Sequence, residues 1–168
     1  MKRIAVITGA SSGLGKEYAA TLSGHLSVDE IWLIARRKDK LKETAFGLKI
    51  PAQIIPMDIT SDDEMKKLEE CLGEEQPQIV CLINAAGMGK IGMIESLSSK
   101  DTAGMIDLNC RALAEMTRMC IPYLTKGAWV LQIASIAGFQ PMPQFAIYAA
   151  SKAFVQRYSE ALHYLPQD

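Results

Sequence analysis

The sequence predicts an α/β fold built on a doubly wound parallel sheet. An apolar run, Ile4-Ala5-Val6-Ile7, leads into a glycine-rich turn, Thr8-Gly9-Ala10-Ser11-Ser12-Gly13-Leu14-Gly15, and then into helical spacing. Downstream, apolar strand candidates alternate with helix candidates along the whole chain. Several strand candidates are apolar without a break, as parallel strands covered on both faces are.

The first strand is expected over Arg3 to Thr8. The helix after it runs from Leu14 to Gly24, in a segment with helical spacing at Leu14, Tyr18, Leu22 and Leu26. A second strand, Glu30 to Ala35, precedes a helix at Lys38 to Gly47. A third, Ala52 to Met57, precedes a helix at Asp62 to Leu72, where Ser61 and Glu64 form a capping box. The fourth strand is Gln78 to Asn84, followed by a long helix from Asp101 to Leu124. The fifth is Ala128 to Ala134, followed by a helix from Ile147 to Tyr164.

The chain has 168 residues, enough for one domain over 1–168 with a sizeable core. Apolar residues make up 49% and charged residues 22%, an ordinary globular balance. A net charge of −1 gives no electrostatic reason for a nucleic acid or an anionic membrane as partner. Cys71, Cys81, Cys110 and Cys120 form no CxxC pair and no metal spacing with the two histidines. They read as reduced thiols, so the expected location is cytoplasmic, with Cys81 inside a buried strand. Met1-Lys2-Arg3 resembles the start of a signal, but the apolar run behind it is short, and no stretch is long enough to span a membrane.

A strand, a glycine turn and a helix together make a dinucleotide phosphate site. Glycines allow the sharp turn and a close approach by pyrophosphate. The helix start offers unpaired N–H groups and the positive end of its dipole. The expected cradle is Gly9, Ser11, Ser12, Gly13, Leu14 and Gly15; an ordinary Gly/Ser turn is the alternative. About twenty residues on, such folds select the ribose, usually with an acid on the 2′-hydroxyl of NAD. Here Ala35-Arg36-Arg37 stands instead. Two guanidiniums suit a 2′-phosphate, so NADP(H) is favoured over NAD(H). The competing reading is a solvated basic helix start. Against it, cations at a helix N-terminus oppose the dipole.

Asp58 either accepts from an adenine amino group or caps the turn at Thr60-Ser61. Asn84-Ala85-Ala86-Gly87 offers small side chains for a ribose and pyrophosphate to lie over; Asn84 also suits a tie between strands. Tyr148 and Lys152, four apart on a helix, share one face. An ammonium beside a phenol favours the ionised form and readies it for proton transfer near neutral pH. Ser135, closing the fifth strand, can bond a carbonyl oxygen as negative charge develops. A lone YxxxK is weak evidence; joined to Ser135, Asn84 and the glycine turn in this order, it is strong.

In that combination the sequence resembles the short-chain dehydrogenase/reductase family, along its whole length. Thr8 to Gly15 matches the TGxxxGxG motif, not the TGxxGxxG of the extended branch. Asn84-Ala85-Ala86-Gly87 is similar to NNAG, with Ala85 in place of the second Asn. Ser135, Tyr148 and Lys152 match the catalytic triad. Asn109 matches the fourth catalytic residue, which in the family supports a water leading to the lysine. Read without the family, Asn109 is a mid-helix polar residue at a kink. The resemblance implies that Lys152 also bonds the nicotinamide ribose. It implies a Rossmann-type sheet of order 3-2-1-4-5, lacking the family's two further strands and substrate-covering loop.

The expected function is therefore an oxidoreductase interconverting a carbonyl compound and its alcohol. The alternative is a non-catalytic NADP(H)-binding module or an inactive fragment. Phe139, Pro141, Met142, Pro143 and Phe145, with Met88, Ile91, Met93 and Ile94, either line an apolar substrate mouth or pack beneath loops. A third reading is a structural piece that pairs with other chains. Met105, Leu108, Ala112, Met116, Met119 and Tyr123 give the first long helix more apolar surface than one sheet contact needs. Phe154, Tyr158 and Leu162 do the same for the last. Hence a homodimer or homotetramer is expected through the helices around 101–124 and 147–164, against the alternative of a packed monomer core.

Overall fold

The computed structural model describes residues 1–163. Five parallel strands, β1 (Arg3–Thr8), β2 (Glu30–Ala35), β3 (Ala52–Pro56), β4 (Gln78–Asn84) and β5 (Leu124–Gln132), pair in the order β3-β2-β1-β4-β5. This is the predicted order. The ladder sets Thr8 beside Ile34 and Asn84, and Asn84 beside Gln132. The carboxyl ends of the central strands therefore open on one edge, where ligands bind in such sheets.

Alternate residues of each strand feed two cores. On one face Ala5, Ile7, Ile31, Leu33 and Ile83 pack with Ala19 of α1 (Gly13–His25) and Leu41 of α2 (Lys38–Phe46). On the other, Val6, Trp32, Ile34 and Leu82 pack with Met65 and Leu68 of α3 (Asp62–Glu75). Met116 and Met119 of α5 (Leu113–Cys120) complete that core. Burial on both faces explains why β1 and β2 read as unbroken apolar runs.

Three elements differ from expectation by more than one residue at an end. The long helix starts earlier, as α4 (Ser99–Ile106), because the Ser98 hydroxyl caps it by accepting the Asp101 N–H at 3.0 Å. It then widens into a π segment (Asp107–Ala112) before continuing as α5. α3 runs on to Glu75 and stops where Gln76 takes a left-handed turn, φ 46°. β5 starts at Leu124 rather than Ala128, since Leu124 still pairs with Ile79 before Gly127, φ 78°, lets the chain bulge. It stops at Gln132, because the Ile133 carbonyl is taken by Lys152 instead of a strand.

α6 (Ala146–His163) packs along α4 and the π segment; Tyr164, the expected last residue of this helix, lies outside the described residues. The apolar residues that argued for pairing through the first long helix are largely used up inside the chain. Met105, Ala112, Met116 and Met119 are buried, so for them the packed-core reading holds. On α6, Phe154 stays half exposed and stacks on Tyr158 with ring centroids 5.6 Å apart. The four cysteines are free; burial pushes the Cys81 thiol up to about 11 and Cys120 up to about 12. Among the described residues no helix is long and apolar enough to cross a membrane.

Candidate functional site

The glycine turn is shaped for close approach. Gly9 has φ 69°, and a Cβ there would sit 2.7 Å from the Ala86 nitrogen. Only glycine lets the end of β1 press against the segment after β4. Gly13 has φ 55° and open space where its Cβ would be. A Cβ on Gly15 would run into the Gly9 carbonyl, so the start of α1 lies tight on the turn. Ser12 is the N-cap of α1, yet its hydroxyl makes no capping bond and the first helical turn holds no acid. The helix start therefore presents its N–H groups and the positive end of its dipole with no side-chain cap and no acid. Thr8 and Thr44 brace the turn from behind. The Thr8 hydroxyl accepts the Ala86 N–H at 3.2 Å, and the Thr44 hydroxyl donates to the Ala10 carbonyl at 3.0 Å.

Arg37 reaches across from the end of β2. One guanidinium nitrogen donates to the Ser11 hydroxyl at 3.1 Å and the Ser12 hydroxyl at 2.9 Å. Its charge therefore hangs over the cradle. Arg36 is exposed beside it, and its field reaches Asp58. Asp58 caps its turn: Oδ1 accepts the Thr60 N–H at 3.0 Å and the Thr60 hydroxyl at 2.7 Å. Burial works to raise the Asp58 pKa, but the Thr60 bonds and Arg36 outweigh it and hold the carboxyl below its ordinary value. The capping box is altered. The Ser61 hydroxyl accepts the Glu64 N–H at 3.5 Å, as expected, but the Glu64 carboxylate reaches past Ser61 to the Asp58 N–H.

Asn84 is buried and turned away from the turn, into a knot between β4, β5 and α5. Its amide donates to Thr117 Oγ1 at 3.0 Å and Gln132 Oε1 at 3.1 Å, while its oxygen has no partner among the described residues. The strand tie is the reading with contacts behind it. Beyond Asn84, the backbone at Ala85-Ala86 meets Gly9, and a Cβ on Gly87 would lie 3.2 Å from Asn109 Oδ1 and 3.5 Å from Lys152 Nζ.

Asn109 sits in the π segment and is fully buried. Oδ1 accepts the Met88 N–H at 2.9 Å; Nδ2 donates to the Met88 carbonyl at 2.8 Å and to Ser151 Oγ at 2.9 Å. Ser151 in turn donates to the Tyr148 carbonyl at 2.7 Å. The extra residue of a π turn rotates a helix face locally, and here that face clamps the loop after β4 to α6. Lys152, only 5% exposed, donates to the Ile133 carbonyl at 2.6 Å. Its ammonium lies 5.7 Å from the centre of the Tyr148 ring. Burial lowers the Lys152 pKa, against a smaller upward pull from Cys110. The Tyr148 ring stacks on Phe145 at 4.2 Å. Ser135 stands two residues past Ile133, its hydroxyl accepting the Ala137 N–H at 3.2 Å. Among the described residues no hydrogen bond joins Ser135 to Tyr148.

A glycine turn before a helix start, a basic rim, and a phenol with an adjacent ammonium thus lie at the carboxyl ends of the strands. Comparison with known proteins gives this arrangement a family. A family model described as short chain dehydrogenase matches residues 3–165. The chain belongs to the short-chain dehydrogenase family. The human very-long-chain 3-oxoacyl-CoA reductase is 32% identical over 174 residues, covering 95% of this chain and 53% of that protein. A bulky-bulky ketone specific alcohol dehydrogenase from Comamonas testosteroni has TM-score 0.82 and 29% identity, over 95% of this chain and 65% of that one. A short-chain dehydrogenase from Sphingobium yanoikuyae, solved in complex with NADPH, has TM-score 0.84 and 28% identity, over 96% and 65%. The chain therefore spans about half to two thirds of the length of these short-chain dehydrogenases.

Several contributors escaped the sequence reading. Ser151, which relays Asn109 to the Tyr148 carbonyl, sits inside the YxxxK motif but carries no signal of its own. Thr117 and Gln132 close the Asn84 knot from 33 and 48 residues away, and only the strand pairing brings them there.

Proposed function

We propose that residues 1–168 form one dinucleotide-binding domain of an NADP(H)-dependent reductase that interconverts a carbonyl compound and its alcohol. One observation carries the reading: an unbroken run of contacts leads from the glycine turn to the proton-transfer pair. Gly9 abuts Ala85 and Ala86, Gly87 abuts Asn109 and Lys152, and Lys152 faces Tyr148. The backbone of Gly9, Ser11, Ser12, Gly13, Leu14 and Gly15 would hold the pyrophosphate, with Ala85 and Gly87 beneath the ribose. Arg36 and Arg37 favour a 2′-phosphate, hence NADP(H) over NAD(H). When bound, the cofactor supplies the hydride. Tyr148 gives or takes the proton on the substrate oxygen, Lys152 keeps a positive charge beside the phenol, and Ser135 donates to that oxygen as charge develops. Asn109 holds the loop after β4 and α6 in register for this work.

An apolar carbonyl compound is the substrate class we favour. Ile91, Ile94, Ile136 and Phe139 remain exposed beyond the strand ends, and two of the three named relatives, the 3-oxoacyl-CoA reductase and the ketone specific alcohol dehydrogenase, are named for carbonyl compounds. The same exposure favours a second reading, cofactor binding without turnover, because nothing in the described residues closes over the mouth: Ile136 is 80% and Phe139 75% exposed. The four free cysteines suit a cytoplasmic setting. The test is NADPH titration followed by assays on a panel of bulky ketones and aldehydes, with Tyr148→Phe alongside. The expected result is NADPH binding in both proteins and turnover at least about 100-fold lower in the variant. Absence of NADPH binding would remove both readings; binding with no turnover of any carbonyl would leave the second.

A further inference from the structure

Arg111 starts from the π segment, two residues beyond Asn109, and points at the turn after β3. Its Nη2 donates to the Thr60 carbonyl at 2.7 Å, its Nη1 to Asp62 at 2.8 Å, and its Nε to Asp107 at 3.2 Å. Glu115 Oε1 lies 3.6 Å from Nη1. Asp107 and Glu115, one helical turn to either side, hold the guanidinium from its own helix. The contacts to Thr60 and Asp62 cross to a segment about fifty residues away in the chain. Thr60 is also the residue whose N–H and hydroxyl grip Asp58.

We propose that Arg111 is a positioning residue that fixes the Asp58–Ser61 turn to the π segment carrying Asn109. The inference rests on the proposed NADP(H) site and extends it to Asp58, one of whose two readings from the sequence faces the adenine amino group. An extended dinucleotide touches that turn at one end and the Tyr148–Lys152 pair at the other, so its fit depends on the distance between them. Along that span runs one chain of hydrogen bonds and covalent links: Asp58, Thr60, Arg111, the π backbone, Asn109, Ser151 and the Tyr148 carbonyl. Surface ion pairs alone would not make such a tie, because solvent screens them. The bond to Thr60 differs: a rigid fork of donors, held in place by two carboxylates, grips a backbone carbonyl. A lysine has no such fork.

The test compares the full chain with Arg111→Ala by amide hydrogen exchange without ligand and by NADPH titration. Two amides report: Thr60, bonded to Asp58, and Met88, bonded to Asn109, whereas Arg111 bonds Asp107, Asp62 and Thr60. The expected result is faster exchange at both, about 3-fold or more, with NADPH binding weakened about 3- to 10-fold. Faster exchange at Thr60 with Met88 unchanged, or no change at either, overturns the proposal; the first would mark Arg111 as a local staple. Should Arg111→Ala fail to fold, Arg111→Lys decides by the same two amides. A wild-type chain that binds no NADPH would sink the cofactor reading, while the two amides still report whether Arg111 couples the segments.

Discussion

At Arg37 a single guanidinium nitrogen spans two serine hydroxyls of the glycine turn. Those hydroxyls are neutral, so the cation is held in place without being neutralised. An incoming 2′-phosphate would find it oriented, with Arg36 beside it. Charge-assisted hydrogen bonds contribute about 1.5–3 kcal/mol each. Arg36→Ala with Arg37→Ala is therefore expected to weaken NADPH binding about 10- to 100-fold and NADH binding far less, measured by fluorescence titration. Equal losses would show that the arginines do not read the phosphate. Lys152 sets a second test at this scale. Burial lowers its pKa in the fold, so between that lowered value and the ordinary 10.5 the unfolded chain binds more protons. Stability owed to this group must then rise with pH through that window. Lys152→Met removes the titration. Denaturant unfolding of both proteins at neutral pH and near pH 10 should show the variant losing its relative advantage as pH rises. A stability difference independent of pH would contradict the burial argument.

The strands were the most legible elements, and the reason is their burial. β1, β2 and β4 match expectation at both ends, because residues covered on both faces leave an apolar run bounded by polar turns. β5 was half legible. Its start is hidden by Thr125-Lys126-Gly127, which read as loop, although Leu124 is paired; its end is hidden because Ile133 and Ala134 look like strand while a lysine takes the Ile133 carbonyl. No local pattern announces a contact made by a residue nineteen positions away. The π segment was legible only as a kink at Asn109. A π turn adds one residue without changing composition, so periodicity over a long helix averages it out. The motif residues were legible as a set, but their bonding was not: Asn84 turned out to tie strands, and Asn109 to tie a loop to α6.

Across the whole molecule, the described sheet has two outer strands, β3, which ends in Pro56, and β5. Within the described sheet β5 pairs only with β4. Outer strands carry a row of unpaired N–H and C=O groups that template pairing with another chain. Proteins usually blunt such edges with charge or proline, but β5 holds one charged residue, Lys126, at its bulged end, and no proline. Next to that edge Trp129 is 67% exposed and Leu131 is also open to solvent. This chain is therefore expected to self-associate through β5 as concentration rises, which sedimentation velocity would detect. Trp129→Lys with Leu131→Lys places charge on the edge and should keep the protein monodisperse. Neither residue touches the glycine turn or Tyr148, so NADPH affinity should stay the same. Phe154→Lys separates the competing route, since Phe154 lies on α6, where pairing was expected from the sequence. Association that survives the β5 changes but disappears with Phe154→Lys would assign the contact to the helices and overturn the edge argument.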